Sequence, residues 1–199
     1  MKIIAGKYRS RVLVTLEGLN TRPMLSRMKE SVFNTIGPFF DGDVVLDLFG
    51  GSGALSLESL SRGASFSYIV EKSHEAVKII KKNVDSLKEN DNVKILNMDY
   101  KLALKKFKEE NRSFDIIFLD PPYRLNIVSE IIDFINANNL LKDKGVIVCQ
   151  YVAGNYKPQE TDQLHIIKNY DYASSEVCIY QKKEDNWNNS LNNSIFKKR

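Results

Sequence analysis

The sequence is poor in cysteine and histidine, with two of each among 199 residues. Cys149 and Cys178 fall in apolar, strand-like stretches, so we interpret them as buried, reduced thiols in a cytosolic protein. A disulfide between them is the less favoured interpretation. No spacing typical of metal ligands is present, and we expect no metal. Disulfide-rich and zinc-binding scaffolds are thereby excluded.

Long apolar runs are also missing. No stretch approaches the roughly 18 residues that a membrane-spanning helix needs. The first seven residues are basic and lack an apolar signal core, so we expect a cytoplasmic protein that contacts no membrane. The shares of hydrophobic (43%) and charged (27%) residues are ordinary, which excludes global disorder and a fibrous chain.

Positive charge is concentrated near the N-terminus. The chain has a net charge of +4, and the first 30 residues contain seven Lys or Arg and two Asp or Glu. A basic arm of this kind indicates either a polyanionic partner such as RNA or a solvated hairpin that increases solubility, and charge alone does not choose. The candidate RNA contacts are Lys7, Arg9, Arg11, Arg22, Arg27 and Lys29.

Strands and helices alternate along most of the chain. A hairpin with strands at 2–5 and 12–15 comes first, and we assign residues 1–20 to this arm. Residues 21–183 form the main domain and 184–199 a loosely ordered, Asn-rich tail. Further strands are predicted at 44–48, 67–71, 93–97, 115–119, 146–151, 164–168 and 177–181, with helices near 28–36, 54–62, 73–89, 100–109 and 128–135. Such alternation indicates an α/β fold with a mostly parallel sheet covered on both faces.

The turn after the first sheet strand is rich in glycine. Parallel sheets bind ligands beyond the carboxyl ends of their strands, and here Asp47 precedes the turn at 50–53. The dinucleotide fingerprint would need Gly or Ala where Ser56 stands. Asp47 would also repel a pyrophosphate, so a ligand with a positive end is favoured. The alternative is a glycine turn that serves only tight packing.

Acidic residues follow the next two strands. Glu71 lies 18 residues beyond Gly53, where a carboxylate can accept hydrogen bonds from both hydroxyls of a ribose. Asp99 can accept one from the amine of an adenine. The alternatives are a surface pair between Glu71 and Lys72 and, for Asp99, a helix N-cap.

The sharpest signal is the Asp120-Pro121-Pro122-Tyr123 turn after the fourth sheet strand. Two consecutive prolines remove two backbone donors and hold the chain extended, so the carbonyls are free to face a substrate. Asp120 adds an acceptor and Tyr123 a flat ring. This combination suits an amino group on an aromatic ring; the alternative is a turn that only ends a strand.

Together these positions predict S-adenosylmethionine as cofactor, because it has an adenine, a free ribose and a cationic end but no phosphate. Hydrogen bonds from the target amine to Asp120 and to the carbonyl of Pro121 would aim the nitrogen at the methyl group. A base flipped out of its stack would lie on Tyr123. The candidate cofactor contacts are Asp47, Phe49, Gly51, Gly53, Ala54, Leu55, Glu71, Lys72, Asp99 and Tyr100.

With these residues identified, the chain resembles the bacterial small-subunit (16S) ribosomal RNA guanine-N2 methyltransferases of the RsmD type. Glycine-turn and Asp-Pro-Pro-Tyr motifs are shared by many amino-methyltransferases, whereas the segment at 21–34 is more specific. The matching segments are 2–7, 21–23, 27–34, 47–64 and 114–123, and the resemblance extends to about residue 181. Departures from the family pattern at 24–26, 150–151 and 171–172 border the substrate region.

The resemblance implies a Rossmann-like class I methyltransferase fold. Its sheet would have seven strands with the last one antiparallel, and an N-terminal hairpin would help to hold RNA. It implies that the residues after the strands contact S-adenosylmethionine and that 120–123 receive the guanine N2. The expected partner is ribosomal RNA, free or within a partly assembled small subunit, and we expect a monomer.

Two other functions are compatible with the same motifs. A DNA adenine or cytosine amino-methyltransferase would use the same acidic positions, but the chain is short for a separate DNA-reading domain. A non-catalytic RNA-binding assembly factor would keep the fold, but the intact turn at 120–123 argues against it.

Overall fold

Seven strands and five α-helices make up the part of the chain that the structure, a computed structural model, describes: residues 1–16, 26–122, 127–172 and 174–184. The helices are α1 (Ser26–Ile36), α2 (Ala54–Ser61), α3 (His74–Leu87), α4 (Tyr100–Glu109) and α5 (Val128–Ala137). The strands are β1 (Val44–Asp47), β2 (Phe66–Val70), β3 (Val93–Leu96), β4 (Phe114–Leu119), β5 (Leu141–Val152), β6 (Leu164–Tyr172) and β7 (Ser175–Lys182). None of these helices is both long and apolar enough to cross a membrane.

The strands form one sheet in the order β3-β2-β1-β4-β5-β7-β6. β7 pairs antiparallel with both β5 and β6, and the other neighbours are parallel. The predicted seven-stranded sheet with an antiparallel last strand is therefore confirmed. The strand order reverses between β1 and β4, so the crevice for a ligand is expected at the carboxyl ends of these two strands.

Each face of the sheet carries its own core. Alternate residues of the strands point to opposite faces, so Val45 packs with α1, α2 and α3 while Leu46 packs with α4 and α5. The two thiols also fit the prediction, because Cys149 and Cys178 are buried, free and directly opposite each other across β5 and β7.

The N-terminal hairpin differs from its prediction. The predicted strands 2–5 and 12–15 are reduced to a single antiparallel bridge between Lys2 and Val12. The reason is that the amides of Ile4 and Ala5 donate to the Glu58 carboxylate, at 2.9 and 3.1 Å, instead of to a second strand. The segment is thus fastened to α2 and does not extend into solvent as a free arm.

Glu58 is the centre of a fully buried ionic cluster. Lys29 Nζ lies 2.9 Å from one of its oxygens and Arg62 Nε 2.8 Å from the other. Burial by itself would raise the pKa of Glu58, but the charge of Lys29 and the Ile4 amide lower it below the ordinary value. Lys29 also donates to the carbonyl of Lys2 at 2.9 Å, so the cluster joins α1, α2 and the N-terminal segment.

The prediction that Lys29 contacts RNA is wrong. Its side chain is completely buried, and its ammonium group is used by Glu58 and by the carbonyl of Lys2. Its charge is needed inside the protein, where it compensates a carboxylate that has lost its water.

We predict that Glu58→Gln destabilises the protein by about 3–5 kcal/mol, because Lys29 and Arg62 would remain buried without their counter-charge. Urea unfolding followed by circular dichroism measures the change. Glu75→Gln is the matched control, since Glu75 pairs with Lys78 in solvent and its loss should change little. Equal midpoints for both variants would contradict the role given to Glu58.

Candidate active site

Three carboxyl groups meet at the point where the strand order reverses. Asp47, the last residue of β1, lies opposite Ile69 of β2 and Phe118 of β4. Glu71 and Asp120 each follow these partners by two residues, so alternation places them on the same face as Asp47. The charge of Asp47 raises the pKa of Asp120, and the charge of Glu71 raises the pKa of Asp47, so Asp47 interacts with each of the other two groups.

Asp47 is buried and only partly hydrogen-bonded. Ser56 Oγ donates to its Oδ2 at 3.2 Å, while Oδ1 finds no partner within the described residues. Burial, followed by the charge of Glu71, raises the pKa of Asp47 to about 7. A carboxyl group in this state favours a ligand that brings a positive charge or a hydrogen-bond donor.

The glycine turn combines tight packing with an open side. Gly50 donates to the carbonyl of Val70 at 2.8 Å, and a Cβ built on it would lie 2.3 Å from Ile69, so packing requires this glycine. Gly51 has a φ of 56°, and a Cβ there would meet nothing within 4 Å. Gly50 therefore serves tight packing, whereas Gly51 faces the open side, where a ligand could approach the backbone.

Glu71 holds this turn in place. Its two oxygens accept from Gly51 N at 2.9 Å and from Ser73 N at 2.8 Å. The alternative of a surface pair with Lys72 is wrong, because Lys72 pairs with Asp99 at 3.2 Å. A carboxylate has about four acceptor sites, so Glu71 keeps capacity for two hydroxyl groups.

Asp99 is the N-cap of α4, which was the alternative interpretation of this residue. Its side chain accepts from Lys101 N at 3.0 Å, and this bond, with the nearby Lys72, lowers its pKa. The rings of Phe49 and Tyr100, both partly buried, lie with centroids 5.3 Å apart. Phe49 follows β1 and Tyr100 follows β3, so these apolar side chains flank the same edge as the carboxylates.

The proline turn begins inside the protein and ends at its surface. Asp120 is half-buried, Pro121 buried and Pro122 exposed. Burial of the carboxyl group, with the charge of Asp47, raises the pKa of Asp120 to about 7. Tyr123 lies outside the described residues.

The predicted RNA contacts lie in two regions. Lys7 pairs with Glu89 just after α3, and Arg11 donates to the carbonyl of Ser86 at 2.9 Å. α3 starts just beyond the carboxyl end of β2 and spans about 21 Å, so these cations and the exposed Arg9 lie toward the opposite edge of the sheet. Arg27 is exposed at the start of α1, and Arg22 lies outside the described residues.

Two residues at this edge were not predicted as parts of the site. Ser56 was considered only as a break in the dinucleotide fingerprint, yet its hydroxyl contacts Asp47 from the first turn of α2. Gln150, noted in the sequence only as a departure that borders the substrate region, is buried in β5 next to β4, the strand that Asp120 follows.

The arrangement offers acceptors and few donors. Carboxylates at 47, 71, 99 and 120 suit a ligand with a cation, hydroxyls and an aromatic amine, and they disfavour a phosphate. Glycine at 51 leaves room for a ligand beside the backbone. Across the described ranges, no three His, Cys, Asp or Glu side chains are grouped so that they could hold a metal ion.

Comparison with known proteins agrees with this geometry. A family model described as "Conserved hypothetical protein 95" matches residues 1–181. "Putative rRNA methyltransferase YlbH" of Bacillus subtilis strain 168 is 33% identical over 183 residues, which cover 92% of this chain and 100% of that protein. "Ribosomal RNA small subunit methyltransferase D" of Escherichia coli K12 is 31% identical over 158 residues, 79% of this chain and 78% of that protein.

Solved structures show the same architecture. The structure described as "Putative methyltransferase yhhF from Escherichia coli" is 29% identical, covers 93% of this chain and 99% of its own, and superposes with a TM-score of 0.81. The predicted Rossmann-like class I methyltransferase fold is thereby confirmed.

We predict that Asp47→Asn gains stability relative to the ligand-free wild type as the pH rises. In the folded wild type, the pKa of Asp47 is about 7, above its ordinary value of 3.8, so the folded protein holds a proton that the unfolded chain has lost. The stability contribution of Asp47 therefore falls between about pH 4 and pH 7. From pH 5 to pH 8 the difference between the two proteins should grow by about 2–3 kcal/mol.

Urea unfolding of both proteins at pH 5 and pH 8 measures this difference. Asp162→Asn serves as control, because Asp162 is exposed and precedes β6 at the opposite edge of the sheet. A constant difference between Asp47→Asn and wild type would show that Asp47 is ionised throughout this range.

Proposed function

This chain belongs to the family described as conserved hypothetical protein 95, the RsmD type of methyltransferase, and on that premise we propose that it transfers a methyl group from S-adenosylmethionine to ribosomal RNA. The finer proposal is that the acceptor is the N2 amine of one guanine in the small-subunit RNA. The expected setting is the cytoplasm, where the protein acts as a monomer on the RNA or on a partly assembled subunit.

The cofactor's parts match the groups at the carboxyl edge. S-adenosylmethionine supplies a methyl group that its sulfonium already activates. Oδ1 of Asp47, for which the described residues supply no hydrogen-bond partner, receives the cationic end, and Glu71 has acceptor sites left for the ribose hydroxyls. Asp99, Phe49 and Tyr100 lie where an adenine would pack and hydrogen-bond. Gly51 and the first residues of α2, Ala54 and Leu55, give the ligand access to the backbone.

The amine is held by the proline turn. Asp120 accepts one N–H and the carbonyl of Pro121 the other, which leaves the nitrogen lone pair aimed at the methyl group. That lone pair forms the new N–C bond, and the electrons of the broken S–C bond stay on sulfur. The nitrogen then loses one proton, and Asp120, with its pKa near 7, is placed to accept it.

The observation that carries this proposal is the adjacency of Asp47 and Asp120 at the reversal point. One ends the strand that leads to the glycine turn, and the other starts the proline turn on the neighbouring strand. A cofactor bound at the first turn would therefore be close to an amine bound at the second, and orientation of this kind accelerates a transfer greatly. A non-catalytic assembly factor would not need the second turn.

We predict that Asp120→Ala lowers methyl transfer at least about 100-fold, because the amine loses an acceptor and a place for its proton. Labelled S-adenosylmethionine and small-subunit particles from cells that lack this protein provide the assay. Cofactor affinity, measured by calorimetry, should stay within about threefold of wild type, since Asp120 contacts the acceptor base.

Asp47→Asn is the matched variant, and it should weaken cofactor binding itself. Asp162→Asn, an exposed change, controls for the loss of a carboxylate elsewhere. Near-normal transfer by Asp120→Ala would refute the proposed mechanism, and equal transfer to DNA would favour the DNA alternative.

We predict that Arg9→Ala and Arg27→Ala each weaken RNA binding and reduce the dependence of affinity on salt. A cation that meets one phosphate of single-stranded RNA contributes about 0.7 to the slope of log affinity against log salt. Filter binding between 50 and 300 mM salt gives the slopes. Lys108→Ala, exposed on α4 across the sheet from α1, should leave the slope unchanged. A salt-independent affinity would mean that these cations serve only solubility.

A further inference from the structure

Gln150 lies beside the proline turn. The last printed partners of the parallel strands β4 and β5 are Leu119 and Cys149, so the following residues, Asp120 and Gln150, are neighbours about 4.8 Å apart along the hydrogen-bonding direction. Asp120 follows Phe118 by two residues and Gln150 follows Val148 by two residues. Phe118 and Val148 belong to the same core cluster. The two side chains therefore share one face of the sheet.

The Gln150 amide is buried without a full set of partners. The residue is 2% exposed, and its Oε1 accepts no hydrogen bond from the described part of the chain. A buried acceptor without a donor is costly, and an apolar residue would avoid that cost. Such a group is explained when a bound molecule supplies the missing donor.

Oε1 is available to such a molecule. The terminal torsion of glutamine has a broad energy profile, and no hydrogen bond from the described residues holds Oε1 in its present direction. Titratable groups on this face include Asp120, on the adjacent strand, Asp47, one strand further, and Glu71 after β2. When ionised, all three are acceptors, and none then supplies the donor that Oε1 lacks.

The ring atom next to the target amine differs among the bases. In guanine the carbon that bears the N2 amine lies between N1, which carries a hydrogen and donates, and N3, which accepts, so guanine alone offers a donor beside its amine. In adenine and in cytosine the ring nitrogen beside the amine has a lone pair and accepts. An acceptor next to Asp120 thus fits guanine and opposes the other two bases, and enzymes that flip a base read this edge by such hydrogen bonds.

We propose that Gln150 is a specificity-determining residue whose Oε1 accepts the N1–H of the target guanine while Asp120 accepts from its amine. This inference rests on the proposed methyl transfer and adds the means by which guanine is selected. An amide turned the other way would present Nε2, and it would select adenine or cytosine.

The test removes the N1–H of the target base. The target guanosine, once mapped, is exchanged for 2-aminopurine riboside in the small-subunit RNA. This base keeps the 2-amino group, has a lone pair in place of the N1–H and lacks O6, so the Gln150 variant is needed to assign the effect to the N1–H. We expect wild-type kcat/KM to be roughly ten- to hundredfold higher for guanine than for 2-aminopurine. In Gln150→Leu, which has similar volume and no acceptor, this ratio should fall to within about threefold of unity.

Two further variants separate specificity from packing. Gln150→Glu retains an acceptor and should keep the preference for guanine. Ser67→Ala removes another buried oxygen without a hydrogen-bond partner, but Ser67 lies deeper in β2, opposite Val45, so its ratio should match wild type. Urea midpoints show whether each variant is folded.

The possible outcomes distinguish failure of the role proposed for Gln150 from failure of the proposed methyl transfer. If wild type methylates guanine and Gln150→Leu keeps the full preference, the inference fails and the proposed function stands. If Gln150→Leu weakens cofactor binding without changing the ratio, Gln150 belongs to the cofactor site and the inference also fails. If wild type prefers 2-aminopurine, the amide points the other way. If wild type transfers no methyl group, the proposed function fails and the inference with it.

Discussion

The buried carboxylate of Glu58 is the constraint on which the site depends. It is held by two cations and two backbone amides that come from α1, α2 and the N-terminal segment. A buried ion pair repays its desolvation only when the remaining acceptor sites are also satisfied, and here each Glu58 oxygen has both an ionic and an amide partner. α2 is the helix that starts at the glycine turn, so the cluster that fixes α2 also fixes the floor of the site.

At the other edge of the sheet the electrostatic situation is reversed. Loss of solvent, with the charge of a neighbouring carboxyl group, raises the pKa of the buried Asp47 and of the half-buried Asp120 to about 7. Unrelieved repulsion of this kind persists where binding or catalysis uses it. The structure thus separates two kinds of buried acid: one is fully compensated and holds the fold, and the others are left for a ligand to compensate.

Features that depend on residues close together in the sequence could be predicted. Features that depend on contacts between distant residues could not. α4 follows from local signals and has the predicted bounds, 100–109. The acidic residues that follow β1, β2 and β4 could also be predicted to lie together, because the carboxyl ends of neighbouring parallel strands lie at the same edge of the sheet. Lys29 could not be assigned in this way, since its partner lies 29 positions away and nothing in its neighbours distinguishes a buried lysine from an exposed one. The hairpin was mispredicted for the same reason, because the acceptor of the Ile4 and Ala5 amides is in α2.

The acidic edge also restricts how a nucleic acid can approach. Phosphates are repelled by the carboxylates at 47, 71, 99 and 120, while the exposed Arg9 lies toward the far edge, about one α3 length away. A base that enters this edge must therefore leave its backbone behind, on the cationic surfaces outside it. A flipped base meets that requirement, because it presents only ring donors, ring acceptors and an amine to the site. Recognition of such a base depends on the pattern of donors along one of its edges, and the role proposed for Asp120 and Gln150, which follow each other on neighbouring strands, is to read that pattern.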